Sequence, residues 1–266
     1  MRNVNILAAA AALAVIAPSA GAQERQSDNS FKWSGGIEAG RTVYSRNLNG
    51  AVRVEASSGS QVEVTAEKRW RRGDPKSVKV EVTKTSRGDV LVCVIYLDRN
   101  TRCDEDGYNV RGNDGWGDHN DVSVELTVRL PKGVKTDAST VNGGLTIEGA
   151  TAEVKARTVN GGIEASSSGG PVSAKTVNGG IKVRAGTVGT GPLEYQTVNG
   201  SITVELPADL NADLDMSTVN GSISSDDFPI TVQGRFDRRH ISGTIGKGGP
   251  ELRLKTVNGS IRIRKS

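Results

Sequence analysis

The sequence predicts an all-β fold: a β-solenoid array with an N-terminal antiparallel β-sheet layer. Three observations carry this reading. A six-residue phrase, Thr-Val-Asn-Gly-(Gly/Ser)-(Ile/Leu), opens at Thr140, Thr158, Thr176, Thr197, Thr218 and Thr256, with gaps of 18, 18, 21, 21 and 38 residues. Repetition at this period marks an array in which one supersecondary unit stacks on the next. Apolar and polar residues alternate on either side of the phrase, and no helical periodicity follows the N-terminal apolar run. Glycine is abundant (33 residues) while aromatics make up 4%, so the core is thin and glycine serves particular turns.

In chain order, Met1-Arg2-Asn3 is a weakly basic start, Ile6 to Ala17 is apolar, and Pro18-Ser19-Ala20-Gly21-Ala22 ends in an A-x-A pattern. Residues 1–22 therefore read as a secretory signal peptide cleaved before Gln23, too short for a stable bilayer anchor. No second long apolar run follows, so no transmembrane segment is expected in the mature chain. The net charge of +4 is too small to imply nucleic acid. The expected setting is periplasmic, cell-surface or secreted.

Residues 23–35 are polar and read as a flexible tail. Residues 36–135 read as an antiparallel sheet that begins the array and caps one end. Its strands are the alternating stretches around Thr42–Tyr44, Ala51–Val54, Gln61–Ala66, Val78–Val82 and Val122–Leu130, and the more continuously apolar Val90–Tyr96. Asn47-Leu48-Asn49-Gly50 is a worn form of the later phrase, read as a turn whose Asn and Gly tolerate positive φ. Cys93 and Cys103, an even pair in an exported chain, read as a disulfide. Closing so short a loop stabilises by about 2–3 kcal/mol in the chain-entropy model. Their spacing suits neither a metal nor a redox pair.

Residues 136–266 are the repeat proper. Apolar residues fall two and four positions before each Thr (Ala156 and Val154, Tyr195 and Leu193, Met216 and Leu214, Leu254 and Leu252). They fall again five and seven positions after it (Ile163 and Ala165, Ile181 and Val183, Ile202 and Val204, Ile261 and Ile263). With a period of two, these residues and the Thr share the inner face, and Val141 and its counterparts lie outside it. Two architectures fit. In a meander each phrase is a hairpin, which sets Lys175 against Lys182 and Lys255 against Arg262, an unfavourable arrangement. In a solenoid each unit is one coil, and Asn142, Asn160, Asn178, Asn199, Asn220 and Asn258 stack into an amide ladder. The solenoid is favoured. His240-Ile241-Ser242-Gly243-Thr244-Ile245 reads as a degenerate copy inside the long gap, giving eight units, and Ser260–Arg264 as the closing edge strand.

The worn Asn-Leu-Asn-Gly start, the Leu-Pro-x-Gly-Val step at Leu130–Val134, the repeated phrase and the closing Gly248–Ile261 together resemble the bacterial putative-adhesin family of exported β-strand repeat proteins, a domain of unknown function. The resemblance spans roughly residues 36–264. It implies a β-solenoid and a cell-envelope setting, and it brings no catalytic residues.

Candidate sites are few. Lys68-Arg69-Trp70-Arg71-Arg72 is a basic hairpin tip that suits an anionic surface, and Arg235, Arg238, Arg239 and His240 form a second basic group. The loop from Asp98 to Asp121 concentrates carboxylates at 104–121 without EF-hand order. Arg72-Gly73-Asp74 and Arg87-Gly88-Asp89 read as turns. Gly246-Lys247-Gly248-Gly249 lacks phosphate-loop spacing. His119 and His240 have no neighbouring nucleophile motif, and no cofactor or metal site is expected. The function read from the sequence is an exported, non-enzymatic envelope binding or scaffold module, contacting glycan, lipid or protein. The alternative is a carbohydrate-active β-helix enzyme.

Overall fold

The computed structural model describes residues 23–97, 99–111, 120–225, 227–232 and 239–266. The expected signal peptide lies outside these residues. Among the described residues two sheets of 11 strands each enclose one apolar core, beside a two-stranded hairpin at Asn100–Cys103 and Tyr108–Arg111. Among the described residues no helix is long and apolar enough to cross a membrane.

Each phrase joins one sheet to the other. Val154–Arg157 lies in one sheet and Ile163–Ser167, after the Asn160 corner, in the other; both pair in parallel with the equivalent strands of the next coil. The fold is therefore the solenoid and not the meander. The inner-face residues named from the sequence are buried, Thr140, Thr158, Thr176, Thr197, Thr218 and Thr256 included. Stacking does bring Arg157 alongside Lys175, but Arg157 binds Asp137 and Lys175 binds Glu194, so like charges are met by local carboxylates.

Most corners work differently from a positive-φ turn. No non-glycine residue among those described has positive φ, and at Gly143, Gly161, Gly179 and Gly200 the glycine after Asn is required for space, whereas Gly50 (φ 115°) in the worn phrase needs glycine for conformation as well. A Cβ on Gly161 would meet the Gly143 carbonyl oxygen at 2.1 Å, on Gly179 that of Gly161 at 2.0 Å, and on Gly200 that of Gly179 at 2.1 Å. The next position is open: a Cβ on Gly180 would lie 3.4 Å from the Ser201 oxygen, an ordinary contact. That is why the phrase admits Gly or Ser there and only Gly one residue earlier.

Four expectations are corrected. The expected tail at 23–35 forms the strands Gln23–Gln26 and Ser30–Gly36, the second paired with Gln61–Arg69; Phe31 and Trp33 alternate inward and are buried, enough apolar area to hold the segment down. Residues 36–135 hold the expected antiparallel strands that begin the array, but not all of their strands belong to that layer. Thr42–Arg46 and Val52–Ala56, joined by the worn phrase, are the first coil and pair in parallel with the second. The antiparallel strands continue both sheets: Gln61–Arg69 against Ser123–Leu130 in one, Val78–Lys84 against Val90–Tyr96 in the other.

The third and fourth corrections concern order. The coil of Glu251–Asn258 and Ile261–Lys265 inserts between the coil of Leu193–Gln196 and Ile202–Leu206 and that of Ala212–Asn220 and Ile223–Ser225. Ser260–Arg264 is thus interior. The supposed degenerate copy is instead the strand His240–Ile245, antiparallel to Ala212–Asn220 and followed outward by Ile230–Val232. Seven corners stack, from Asn49 to Asn220. The strap Gly246–Pro250 makes the insertion possible by crossing the start of Ala212–Asn220. The Lys247 N–H donates to Asn211 Oδ1 at 2.8 Å, and a Cβ on Gly246 (φ 61°) would lie 2.2 Å from that oxygen. Glycine is needed there both for conformation and for clearance.

The corner sterics give a paired prediction. Gly179→Ala lowers stability by about 2–3 kcal/mol, as overpacking against fixed backbone does, whereas Gly180→Ala changes it by less than about 1 kcal/mol. Denaturant unfolding of the two variants beside the parent chain measures the difference.

Candidate functional site

The repeated corner presents three parallel rows to the outside. The middle row is the amide ladder. Asn142 Nδ2 donates to Asn49 Oδ1, Asn160 to Asn142, Asn178 to Asn160, Asn199 to Asn178, Asn258 to Asn199 and Asn220 to Asn258, at 2.7–2.8 Å. Inside it each Thr hydroxyl donates to the glycine carbonyl of a neighbouring coil, as Thr158 Oγ1 does to Gly143 O at 2.9 Å and Thr176 Oγ1 to Gly161 O at 2.9 Å. Asn49, in the worn phrase, belongs to the ladder although its phrase lacks Thr and Val.

On one side of the ladder runs a column of valines. Val159, Val177, Val198, Val257 and Val219 are between 36% and 54% exposed, and Val141 is half-buried. With coils about 4.8 Å apart, the six valines span roughly 24 Å. On the other side, Gly144, Gly162, Gly180 and Ser201 line a trough of about 440 Å³ that also meets Glu164 and Lys182. The lack of side chains at the glycines leaves the backbone accessible from outside.

The valine column ends at the disulfide hairpin. Cys93 and Cys103 are bonded, with Cα atoms 6.2 Å apart, which holds the hairpin against the flank of the first two coils. Tyr108 OH donates to Val94 O at 2.6 Å. The hairpin covers Arg46, which is fully buried. Its Nη1 donates to Asp137 Oδ1 at 2.8 Å, its Nη2 to Glu105 O at 2.5 Å and its Nε to Asp104 O at 3.3 Å. Asp137 also accepts from Arg157 Nη2 at 2.9 and 3.1 Å. Removing one partner of such a buried pair costs about 3–5 kcal/mol, and the hairpin is fastened to it by the Asp104 and Glu105 carbonyls on the Arg46 guanidinium as well as by sulfur. Between hairpin and corner lies a cleft of about 200 Å³ lined by Tyr108, Val141, Arg157 and Val159, among others.

The basic loop is only partly a surface patch. Lys68 is buried, donates from Nζ to Pro75 O at 2.9 Å, and burial holds its pKa below the ordinary lysine value. Arg69 pairs with Glu125 at 2.9 Å. Trp70, Arg71 and Arg72 remain exposed. Their loop wraps a carboxylate: the N–H groups of Gly73 (2.8 Å), Arg72 (3.1 Å) and Arg71 (3.2 Å) all donate to Asp121.

Other candidates separate. Asp104 accepts from the Gly107 and Asp106 N–H groups, and Glu105 pairs with Arg87; among the described residues no group of three or more His, Cys, Asp or Glu side chains could hold a metal ion. Residues 112–119, with His119, lie outside the described residues, as do Arg235 and Arg238. His240 Nδ1 lies 3.9 Å from Asp215. Asp89 is buried and accepts from the Thr42 N–H at 2.8 Å, so the second Arg-Gly-Asp is a structural turn.

A sequence profile for the family described as Toastrack DUF4097 matches residues 128–264. The chain belongs to the Toastrack family. The match covers the stack from the strand before the second coil to the inserted coil. No curated protein matches the chain. Among solved structures, a candidate cell adhesion protein of Clostridium sporogenes is similar at 12% identity and TM-score 0.48, over 92% of this chain and 100% of that one. A candidate adhesin of Bacteroides fragilis is similar at 10% identity and TM-score 0.38, over 90% of this chain and 98% of that one.

The Asp121 loop generates a pH prediction. The Gly73, Arg71 and Arg72 N–H groups hold this carboxyl below its ordinary value. Its stabilising contribution is therefore complete above the unfolded-state pKa and is lost as pH falls through the lower folded value. In an NMR titration the Gly73 amide resonance should move with a midpoint below that of an unperturbed aspartate.

Proposed function

We propose that this Toastrack chain is an exported, non-enzymatic binding module of the cell envelope, adhesin-like in its mode of contact. Among glycan, lipid and protein partners, the corner favours an extended glycan. The observation that supports this is the column of exposed valines running beside the amide ladder. A continuous exposed apolar row on a soluble domain marks a contact surface. A polysaccharide offers matching chemistry, with C–H faces for the valines and hydroxyls for the amides. Each ladder amide spends one N–H and one acceptor direction on its neighbours, which leaves the second of each for a partner.

The row works by repetition. Coils at one spacing place equivalent groups in register, so individually weak contacts add along a polymer. The trough on the far side of the ladder gives such a chain room to lie against backbone. Trp70, Arg71 and Arg72 supply a second, cationic contact suited to anionic headgroups or phosphate-bearing glycans.

The test is a triple variant, Val159→Ser, Val177→Ser and Val198→Ser. These side chains are exposed, so each change alters stability by about 0.5 kcal/mol or less. Sedimentation with insoluble envelope polysaccharide should fall at least about tenfold, with the melting curve nearly unchanged. Undiminished binding by the triple variant, together with loss of binding when Arg71 and Arg72 are replaced by Ser, would reassign the contact to the basic loop.

A further inference from the structure

The outer face of the second to fifth coils carries a groove of about 300 Å³, apart from the valine row and the ladder. Its floor lies at Ile147, Ala165 and Val183, whose side chains are buried in the core. It runs along the stack beside the glycine trough. Glu164 and Lys182 line both and form the ridge between them. The far wall is Glu148, Ser166, Arg184 and Glu205.

The walls are charged, and all but one of their charges are paired. Lys182 Nζ donates to Glu164 Oε1 at 2.7 Å, and Arg184 Nε donates to Glu205 Oε2 at 2.6 Å. Glu148 is the exception: it is exposed and makes no hydrogen bond or ion pair among the described residues. Three carboxylates against two cations leave the groove with one uncompensated negative charge. Arg53, the outward residue of the first coil at this level, stands opposite Thr146 and does not line the groove. A β-bulge sets Glu148 in its place. Register shifts between Ile147 and Ala150, so Glu148 and Gly149 together oppose Ser166, and Gly149 takes a left-handed conformation (φ 69°). Ser166 is too short to answer the carboxylate, and its hydroxyl donates to Ile147 O at 3.4 Å.

We propose that this groove binds a glycan whose sugars carry free amino groups, with the Glu148 carboxylate taking an ammonium. The inference rests on the glycan reading above and names the class of glycan. An ammonium on an unpaired carboxylate makes a charge-assisted hydrogen bond, stronger than the contact a neutral hydroxyl or amide offers there. The paired cations keep donors for ring hydroxyls. Lys182 spends one of three N–H groups on Glu164, and Arg184 turns Nε and Nη2 to Glu205, which leaves Nη1. A cationic peptide would offer the ammonium without the hydroxyls. The small net charge of the whole chain is screened beyond about 8 Å at 0.15 M salt, so the local carboxylate decides. A polysaccharide surface presents chains side by side, so one chain can lie in the groove while another meets the valines.

The test is an NMR titration of the full mature chain with a soluble glucosamine hexamer and with its N-acetylated form, at mildly acidic pH where the amines are protonated. The amino form should shift the Ala165, Ser166 and Val183 amides saturably and bind at least about tenfold more tightly than the acetylated form. Glu148→Gln should bring the two within about twofold, and Glu148→Lys should make the amino form the weaker; at this exposed position both variants keep the parent melting curve. The triple valine variant should keep the preference. No shift of the groove amides, no preference in the parent chain, or a preference that survives Glu148→Gln would overturn the proposal. Equal binding of both forms with shifts at Val159 and Val177 would overturn this inference alone and leave the glycan reading standing. A Glu148-dependent preference beside undiminished polysaccharide sedimentation of the triple variant would overturn the valine row alone. Tighter, Glu148-dependent binding of oligolysine would overturn the choice of a glycan.

Discussion

The contact on which the structure depends is the approach of each corner glycine to the carbonyl of the adjacent coil. It leaves no room for a Cβ, as the 2.0–2.1 Å positions at Gly161, Gly179 and Gly200 show. That clearance sets how closely coils stack. At this spacing the Thr hydroxyls reach neighbouring glycine carbonyls and the Asn amides reach one another. The corner thus satisfies its own polar groups in register, and burial of the Thr side chains costs little because each hydroxyl is bonded. The core can then be thin, since every coil is held at three points by its neighbours as well as by apolar contact.

Much of this was legible in the chain. The period of the phrase and the phase of its flanking apolar residues identified the coil, its inner face and the ladder. The reason for the glycine was not legible, because a turn that needs positive φ and a corner that needs clearance both ask for Asn-Gly. The Gly/Ser alternation one residue later was the clue, since a conformational requirement would not switch off so sharply. Coil order was illegible for a deeper reason. Near-identical phrases are interchangeable neighbours, so nothing in Thr256-Val257-Asn258-Gly259 says that it stacks on Asn199 before Asn220 does. What decides is the strap Gly246–Pro250, whose meaning depends on Asn211 beneath it. The N-terminal strand was not read from the sequence, because only Phe31 and Trp33 alternate there among polar neighbours. The burial of Lys68 depends on Pro75, seven residues away across a loop.

The same regularity shapes the functional surface. A stack that fixes the inward residues of the phrase also fixes the outward ones, so the valines form a column without any separate constraint. The interruptions carry the individuality of the molecule. The disulfide hairpin closes over Arg46 and Asp137 and bounds one end of the column, while the inserted coil leaves the Asn220 corner at the other.

Native-state hydrogen exchange across one rung tests the central role of the corner most directly. The Asn178 N–H donates to Val159 O at 2.8 Å and the Gly179 N–H to Asn199 O at 2.9 Å. If the corner holds the stack, both amides exchange only through global unfolding, with the same free energy as the Val183 amide in the adjoining strand. Exchange of Asn178 and Gly179 through local opening while Val183 stays protected would contradict the account.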